Sequence, residues 1–236
     1  MNDKYSCDLE FWSKPNAINS YWAGFVCADG YLSKTKYNFV LGLGSQDLNH
    51  LQRFKNDIKF NGKIHIYRKQ MSVAHLSVNK CKNWYPALAN NFGIVPGKMN
   101  RVPPINLSEY LKWCYLIGYI DGDGSIFVDK RPKQTLLKIV ISSGISKVLD
   151  WIRNLIESKF NKNLARTVIH HKFVKKYGCQ HYNVLGIRAC LMLQFLRKFD
   201  VPKLERKWNT QSITNEMQEK LAKYPNLTRY PISNRI

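Results

Sequence analysis

The sequence predicts an α+β fold made of two copies of one unit, and three observations support this prediction. Two nine-residue apolar segments, 22–30 (WAGFVCADG) and 116–124 (LIGYIDGDG), each have a central Gly and close on Asp-Gly. Their closing residues Asp29 and Asp123 lie 94 positions apart in a chain of 236 residues. The same order of predicted helices and strands follows each segment. A repeat of this kind indicates a duplicated structural unit.

Both halves show the order helix, two strands, helix, two strands, helix, which is typical of an α+β fold. In the first half, apolar residues spaced at three and four positions predict the helices, and alternating polar and apolar residues predict the strands. After the first segment the elements are strands within 31–46, a helix over 48–58, strands at 62–70 and 71–79, and a helix around 84–92.

The second half repeats this order, and a short polar segment separates it from the first. The segment 97–108 contains the Pro103-Pro104 pair and ends in Ser108, a good N-cap for a following helix. The sequence therefore predicts an N-terminal half at 1–96, a linker at 97–108 and a C-terminal half at 109–236. No element is predicted after Trp208. The second-half elements are strands at 125–130 and 135–143, a helix at 146–160, strands near 165–174 and 180–187, and a helix at 190–199.

The charge of the chain indicates a polyanionic partner. With 37 Lys and Arg against 16 Asp and Glu, the net charge is +21. Nucleic acid and an anionic membrane surface are the usual partners of such a protein. No apolar run approaches the ~18 residues of a membrane span, so nucleic acid is favoured. The first twelve residues lack the basic-then-apolar layout of a signal peptide. We therefore expect an intracellular protein, in a bacterial or phage-infected cytoplasm or in an organelle.

Zinc and EF-hand calcium sites do not fit the sequence. The six cysteines are scattered and no two form a C-x-x-C pair, as zinc ribbons require. The segment from Asp121 to Ser125 begins like a calcium loop. However, Ile126 stands where that loop needs Gly, and Pro132 stands where it needs Glu.

Each apolar segment is predicted to be a helix with small residues four positions apart. These are Gly24 with Ala28, and Gly118 with Gly122. Small residues on one stripe allow two helix backbones to approach closely. Glycine lowers helix stability by about 1 kcal/mol relative to alanine. Two matched instances therefore predict that the two helices pack on each other.

The two closing aspartates then lie at the helix C-termini, where we expect Gly30 and Gly124 to form left-handed caps. A carboxylate at this end faces the negative pole of the helix dipole. Two such carboxylates on packed helices would form a negative cluster that a cation must neutralise. Oxygen ligands favour Mg²⁺ over zinc, and divalent metals on carboxylates serve in phosphodiester hydrolysis. Asp29 and Asp123 are therefore the candidate metal ligands.

At these residues the sequence resembles the LAGLIDADG homing endonucleases, in the single-chain form with two motifs. The family's nine-residue motif matches 22–30 and 116–124, and the resemblance extends to about residue 208. It implies a pseudo-twofold fold in which the motif helices form the interface between two halves. Each half is then a curved four-stranded antiparallel sheet with helices on one face. It also implies a monomer that cuts both strands of a long, asymmetric DNA site.

The resemblance also implies roles for particular residues. Asp29 and Asp123 bind the metal, helped by the backbone carbonyls of Ala28 and Gly122, and the metal is Mg²⁺ with Mn²⁺ able to replace it. The sixth motif position is Cys27 in one copy and Asp121 in the other, and no role is assigned to it.

Three further catalytic candidates come from the same resemblance. A basic residue near the cleavage centre corresponds to Lys98 in the segment FGIVPGK and to Lys203 in FDVPK. A polar residue that positions water corresponds to Gln46, after the second predicted strand.

The predicted strands carry polar, basic and aromatic residues on one face, which suits base edges in a major groove. In 62–70, Ile64 and Ile66 are predicted to face the core, while their neighbours face the DNA. Basic residues predicted to lie in loops are expected to contact phosphates: Lys34, Lys36, Lys130, Arg131, Lys133, Lys175 and Lys176. The full candidate DNA-binding set is Lys34, Lys36, Lys63, His65, Tyr67, Arg68, Lys69, Lys130, Arg131, Lys133, Arg166, His170, Lys172, Lys175 and Lys176.

Two alternatives to a nuclease stay open on the sequence. One is an RNA-binding maturase that assists splicing of its host intron, which needs the basic surface but not both carboxylates. The other is a DNA-binding regulator without catalysis. The retention of both Asp29 and Asp123 favours the nuclease over either alternative.

Overall fold

The computed structural model describes residues 5–68, 72–79, 81–132, 134–160, 172–174 and 179–224. The chain divides into two compact units, Met1–Gly122 and Asp123–Ile236. The predicted segment 97–108 lies within the first unit, and the second motif helix ends at the boundary. The domain bounds 1–96 and 109–236 stay a prediction.

The first unit contains a four-stranded antiparallel sheet in the order β1-β2-β4-β3. Its helix α2 packs on β2 and β4, and α1 packs on α3. The α+β prediction is confirmed for this half. Its elements are α1 (Ala17–Asp29), β1 (Tyr31–Leu32), β2 (Phe39–Gly44), α2 (Leu48–Asp57), β3 (Ile64–Arg68), β4 (Ser72–Val78), α3 (Trp84–Phe92) and α4 (Glu109–Asp123).

The second unit has the same sheet topology, in the order β5-β6-β8-β7 with all neighbours antiparallel. The helices α5, α6 and α8 pack on β6. The duplication predicted from the sequence is therefore confirmed at the level of strand order. The elements are β5 (Gly124–Arg131), β6 (Gln134–Ser143), α5 (Ser146–Phe160), β7 (Lys172–Val174), β8 (Cys179–Leu185), α6 (Gly186–Leu196), α7 (Glu205–Trp208) and α8 (Gln211–Lys223).

Both motif helices begin at side-chain caps. Asn16 and Asn19 form a reciprocal capping box at the start of α1, with N···O distances of 3.0 and 2.8 Å. The hydroxyl of Ser108 accepts from the backbone N–H of Leu111 at 3.5 Å, as predicted for the start of α4. Such caps satisfy amide donors that the helix leaves unpaired.

Each sheet buries one face under helices and leaves the other open. In β6, Leu137, Ile139 and Ile141 are fully buried, while their neighbours on the opposite face are half-buried. In β2, Phe39 and Leu41 are likewise fully buried. This two-residue alternation is the one predicted from the sequence.

Four details differ from the sequence predictions. Gly30 has an extended backbone (φ −77°), and neither it nor Gly124 has a positive φ, so the left-handed caps are wrong. The last helix of the second half begins at Gly186, four residues earlier than predicted. A helix, α8, follows Trp208, where none was predicted. Ile66 lies on the core face but is 47% exposed, because β3 is an edge strand.

Among the residues described, no helix is long and apolar enough to cross a membrane.

Candidate active site

The motif helices α1 and α4 cross at their glycines within the first unit. A Cβ atom on Gly24 would lie 1.9 Å from the backbone oxygen of Tyr115. A Cβ atom on Gly118 would lie 1.8 Å from the backbone oxygen of Tyr21. Both distances are far below van der Waals contact, so only glycine fits at either position. The close packing predicted from the two small-residue stripes is confirmed.

The same stripe continues to the end of α1. A Cβ atom on Gly122 would lie 2.4 Å from the Cβ of Ala28 and 3.5 Å from the Oδ2 of Asp29. The small residues therefore keep the two backbones close up to the residue that precedes Asp123. Ala28 is fully buried, whereas the side chain of Asp29 is exposed.

The sixth motif position, to which no role was assigned from the sequence, lies on the flanks of this crossing as Asp121 and Cys27. The hydroxyl of Tyr21 donates to Oδ2 of Asp121 at 2.7 Å and lies 2.8 Å from Nε2 of His50. Burial, with the nearby Asp121 carboxylate, raises the pKa of Tyr21 well above its usual value, so the hydroxyl keeps the proton that it donates. The Nε2 of His50 must then carry a proton and donate to the hydroxyl oxygen.

The equivalent pair of motif positions meets on the other flank, where the tyrosine belongs to α4 and the sixth-position residue belongs to α1. Tyr115, the repeat equivalent of Tyr21, lies beside Cys27, the equivalent of Asp121. Burial, followed by the Cys27 thiol, raises the pKa of Tyr115 well above its usual value. The crossing therefore has a charged hydrogen bond on one flank and a tyrosine beside a thiol on the other.

This difference predicts unequal effects of two matched substitutions. We expect Tyr21→Phe to lower the free energy of unfolding by about 1.5–3 kcal/mol, because it removes a buried hydrogen bond to a carboxylate. We expect Tyr115→Phe to lower it by less than about 1 kcal/mol, because a thiol is a weak hydrogen-bonding group. Urea unfolding of both variants measures the difference, and equal losses would contradict a charged bond at Asp121.

The carbonyl groups at the end of α1 are held by a buried arginine. Nη1 of Arg101 donates to the carbonyls of Val26 at 2.8 Å and Cys27 at 2.7 Å, and Nη2 donates to the carbonyl of Gly30 at 2.6 Å. Arg101 is only 2% exposed. A cation at a helix C-terminus offsets the negative end of the dipole. These contacts, rather than a left-handed glycine, end the helix.

In the second unit, a lysine holds the residue that follows Asp123. Nζ of Lys207 donates to the carbonyl of Gly124 at 2.8 Å. The predicted catalytic Lys203 is half-buried, and its ammonium donates to the carbonyls of Phe199 and, at 3.5 Å, Arg197. Lys207, which was not among the predicted site residues, is thus a basic side chain bonded to the residue after Asp123.

A spacing pattern in the sequence could have identified both Arg101 and Lys207 as candidates. Arg101 follows Lys98 by three residues and Lys207 follows Lys203 by four, so each half has two basic residues after matching segments. Spacing alone did not indicate that Arg101 and Lys207 bind the glycines that close the motifs.

Three other predicted residues of the first unit are exposed. Gln46 lies in the 3₁₀ turn Ser45–Asp47 that directly follows β2, and Lys98 lies in the 3₁₀ turn Lys98–Asn100. A Cβ atom on Gly97 would lie 3.6 Å from Cε of Lys34, so the side chain of Lys34 lies beside the segment that carries Lys98. Lys34 thus lies next to the residue that precedes Lys98.

The open face of the first sheet carries two histidines on adjacent strands. His65 in β3 is directly opposite His75 in β4, and His75 is opposite Gly42 in β2. A Cβ atom on Gly42 would lie 2.8 Å from Cδ2 of His75. Glycine at this position therefore lets the imidazole ring lie against β2. His65 was predicted for this face, whereas His75 was missed although it lies in a predicted strand.

The open face of the second sheet also carries a central histidine. Nδ1 of His181 lies 2.7 Å from the hydroxyl of Ser142 on the neighbouring strand. On the same face, the ammonium of Lys138 pairs with Asp129 and lies 6.0 Å from the centre of the Phe127 ring. Both sheets therefore present hydrogen-bonding groups on their open faces.

The remaining predicted DNA-binding residues fall into three groups. Lys36 and Lys63 are exposed in the first unit, and Lys130 is exposed in the second. Lys130 and Arg131 were predicted to lie in a loop, but they form the end of β5. The backbones of Tyr67, Arg68, Arg131 and Lys172 lie in strands, with Lys172 opposite His181. The residues outside the described part of the chain are Lys69, Lys133, Arg166, His170, Lys175 and Lys176.

The end of α1 offers oxygen donors suited to a hard divalent cation. Arg101 occupies the carbonyls of Val26, Cys27 and Gly30 but not that of Ala28, which lies between them. The Asp29 carboxylate follows directly and is exposed. Within the described ranges, no group of three or more His, Cys, Asp or Glu side chains could hold a metal ion. Mg²⁺ is commonly held by one or two carboxylates together with substrate oxygens, and these donors fit that mode.

The sequence matches no protein-family model and no curated protein. Solved structures are nevertheless similar over almost the whole chain. The I-LtrWI LAGLIDADG homing endonuclease bound to target DNA aligns with a TM-score of 0.54 at 15% identity, covering 96% of this chain and 94% of that one. I-SmaMI bound to uncleaved DNA in the presence of calcium ions aligns with a TM-score of 0.52 at 13% identity, covering 90% and 99%.

A third structure, the I-SmaMI LAGLIDADG homing endonuclease bound to cleaved DNA, has a TM-score of 0.54 at 12% identity and covers 94% of this chain and 93% of that one. The fold of this protein is therefore that of the single-chain LAGLIDADG homing endonucleases. The fold prediction from the two motifs is confirmed.

Proposed function

We propose that this protein is a site-specific DNA endonuclease that hydrolyses one phosphodiester bond in each strand of a long, asymmetric site. The observation that carries the proposal is the crossing of α1 and α4 at Gly24 and Gly118, since each of these helices ends on an aspartate. Structures of the same fold are homing endonucleases bound to DNA, one of them to cleaved DNA.

In this proposal Asp29 and Asp123 hold divalent cations, with help from the backbone carbonyls of Ala28 and Gly122. Mg²⁺ is the expected cation and Mn²⁺ should replace it. A bound divalent cation activates water and stabilises the leaving oxygen in phosphodiester hydrolysis. The role of the protein in this proposal is to present one carboxylate at the end of each motif helix. The use of calcium in crystals of I-SmaMI with uncleaved DNA supports a divalent-cation site in this fold.

Three polar side chains complete the proposed catalytic set. Gln46, exposed directly after β2, would orient a water molecule. Lys98 and Lys203 would supply positive charge near the cleaved phosphates. Lys98 is exposed, and the side chain of Lys34 lies beside the preceding Gly97. The ammonium of Lys203 must first leave the carbonyls at the end of α6.

The open faces of the two sheets would bind the DNA major groove. His65 and His75 in one unit and Ser142 and His181 in the other are placed for base edges, which carry distinct donor and acceptor patterns. The net charge of +21 supports phosphate binding along the duplex. Because the two sheets carry different residues, the site should be asymmetric. Two sheets would cover roughly 20 base pairs, or two turns of duplex.

One chain carries both motifs, so a monomer suffices for cleavage of both strands. A DNA substrate also implies action in the compartment that contains it, whether bacterial cytoplasm or an organelle.

Selection from a random library tests the proposal directly. A randomised duplex pool would be incubated with the protein in Mg²⁺ and, in a parallel sample, in EDTA, and the cut molecules would be sequenced. We expect one asymmetric consensus of about 20 base pairs, cut in both strands, in the Mg²⁺ sample alone. A product pool without sequence preference, or no cleavage in Mg²⁺ or Mn²⁺, would overturn the proposal.

A further inference from the structure

The glycine that follows each motif helix is bound by a basic side chain, and the two side chains are of different types. In the first unit, Nη2 of Arg101 donates to the carbonyl of Gly30 at 2.6 Å. In the second, Nζ of Lys207 donates to the carbonyl of Gly124 at 2.8 Å. Gly30 and Gly124 are the equivalent closing residues of the two motifs. Each contact therefore fixes the peptide group that follows the glycine next to one of the motif aspartates.

These cations are distant from the motifs in sequence. Arg101 is 71 residues from Gly30, and Lys207 is 83 residues from Gly124. Arg101 lies in the segment after α3, and Lys207 lies in α7. Two different residue types, in two different local structures, make the same contact. This indicates that the contact itself has a role in the protein.

The contact also bears on the position of the aspartates. Arg101 binds carbonyls on both sides of the Ala28–Asp29 pair, at Val26, Cys27 and Gly30, and leaves the Ala28 carbonyl to other partners. It thereby holds the backbone on both sides of the proposed metal ligands. Because Gly30 is extended and gives no left-handed cap, the guanidinium replaces the usual end of the helix.

We propose that Arg101 and Lys207 are positioning residues, each of which sets the geometry of the catalytic aspartate next to the glycine that it binds. Arg101 acts on the Asp29 site and Lys207 acts on the Asp123 site. Neither residue touches the reacting phosphate in this role. The proposal rests on the proposed nuclease function, and it adds that each residue controls the cleavage of one strand.

Strand-resolved cleavage distinguishes this role from a purely structural one. A duplex selected by the wild-type protein would carry a different fluorophore on each 5′ end, and the two strand-cutting rates would be measured in one single-turnover reaction with Mg²⁺. The ratio of the two rates is independent of the fraction of folded protein, because unfolded molecules cut neither strand.

We expect Arg101→Met to slow one strand at least about 10-fold more than the other, since displacement of a catalytic group by less than about 1 Å has effects of this size. Lys207→Met should shift the ratio in the opposite direction. Arg101→Lys keeps the charge with fewer donors, so it should shift the ratio less and toward the same strand. If Arg101→Met fails to fold, the Arg101→Lys variant tests the proposal in its place.

Two exposed residues provide controls for the loss of charge. Arg53→Met on α2 and Lys147→Met on α5 remove the same charges from exposed helix positions, and the ratio should stay at the wild-type value in both. An unchanged ratio in the Arg101 variants or in Lys207→Met, or a shift toward the same strand by both residues, would overturn the positioning role. If the wild-type protein cuts neither strand, the proposed function is wrong as well.

Discussion

The Asp29→Asn/Asp123→Asn double substitution should abolish cleavage of the selected duplex in Mg²⁺, with a fall in rate of about 1,000-fold or more. Each substitution replaces a carboxylate with a neutral amide of almost the same shape and so removes the charge that holds the cation. A bound metal contributes several kcal/mol of charge stabilisation in the transition state, and each 1.36 kcal/mol corresponds to a tenfold change in rate. Single-turnover cleavage of labelled duplex measures the loss.

DNA binding should survive this change, because the substitutions remove negative charge from a surface that approaches phosphates. Asp29→Asn alone should abolish double-strand cleavage in the same way and leave binding intact. Asp150→Asn, which removes an exposed carboxylate from α5, is the matched control and should cut at the wild-type rate. Residual double-strand cleavage by the double variant would show that the catalytic carboxylates lie elsewhere.

The second large effect concerns stability and arises where the motif helices cross. We expect Gly24→Ala and Gly118→Ala each to lower the free energy of unfolding by about 3 kcal/mol or more, as severe overpacking does. The added methyl would lie 1.9 or 1.8 Å from a backbone oxygen of the other helix. Backbone cannot rotate away as a side chain can, so the helices must separate. The clash outweighs the roughly 1 kcal/mol that alanine contributes to helix propensity.

Gly44→Ala is the matched control for these substitutions. Its Cβ would lie 3.5 Å from the flexible side chain of Gln46, and the backbone there has a negative φ of −56°. We expect a change of less than about 1 kcal/mol, which is usual away from packed sites. Denaturant unfolding of the three variants tests the comparison, and three similar stabilities would contradict the close crossing of α1 and α4.

The periodic elements were the most predictable part of the fold. The helices at Trp84–Phe92 and Ser146–Phe160 have the bounds that their apolar spacing predicted. The helix α8 was missed because its apolar contacts are few: Ile213 and Met217 are buried, while its other turns are largely polar. Its place against β5, β6 and α6 depends on packing with residues far away in the sequence.

The prediction of a left-handed cap failed where a local preference competed with a distant contact. Glycine after a helix usually indicates a left-handed cap, but Gly30 is extended because Arg101 already holds the carbonyls at the end of α1. The role of Lys203 stays a prediction: its ammonium donates to carbonyls at the end of α6, while Nζ of Lys207 donates to the carbonyl of Gly124.

The sequence by itself determined that the chain is duplicated, that Gly24 and Gly118 lie on packing stripes, and that Asp29 and Asp123 close the two motif helices. All three depend on spacing within a few residues or on a repeat, which the order of residues records directly. Only the tertiary structure decided which cation binds each helix end and that Tyr21 donates to Asp121. Those contacts join residues 71 to 100 positions apart. They form only after the sheets and helices have packed, so no local pattern records them.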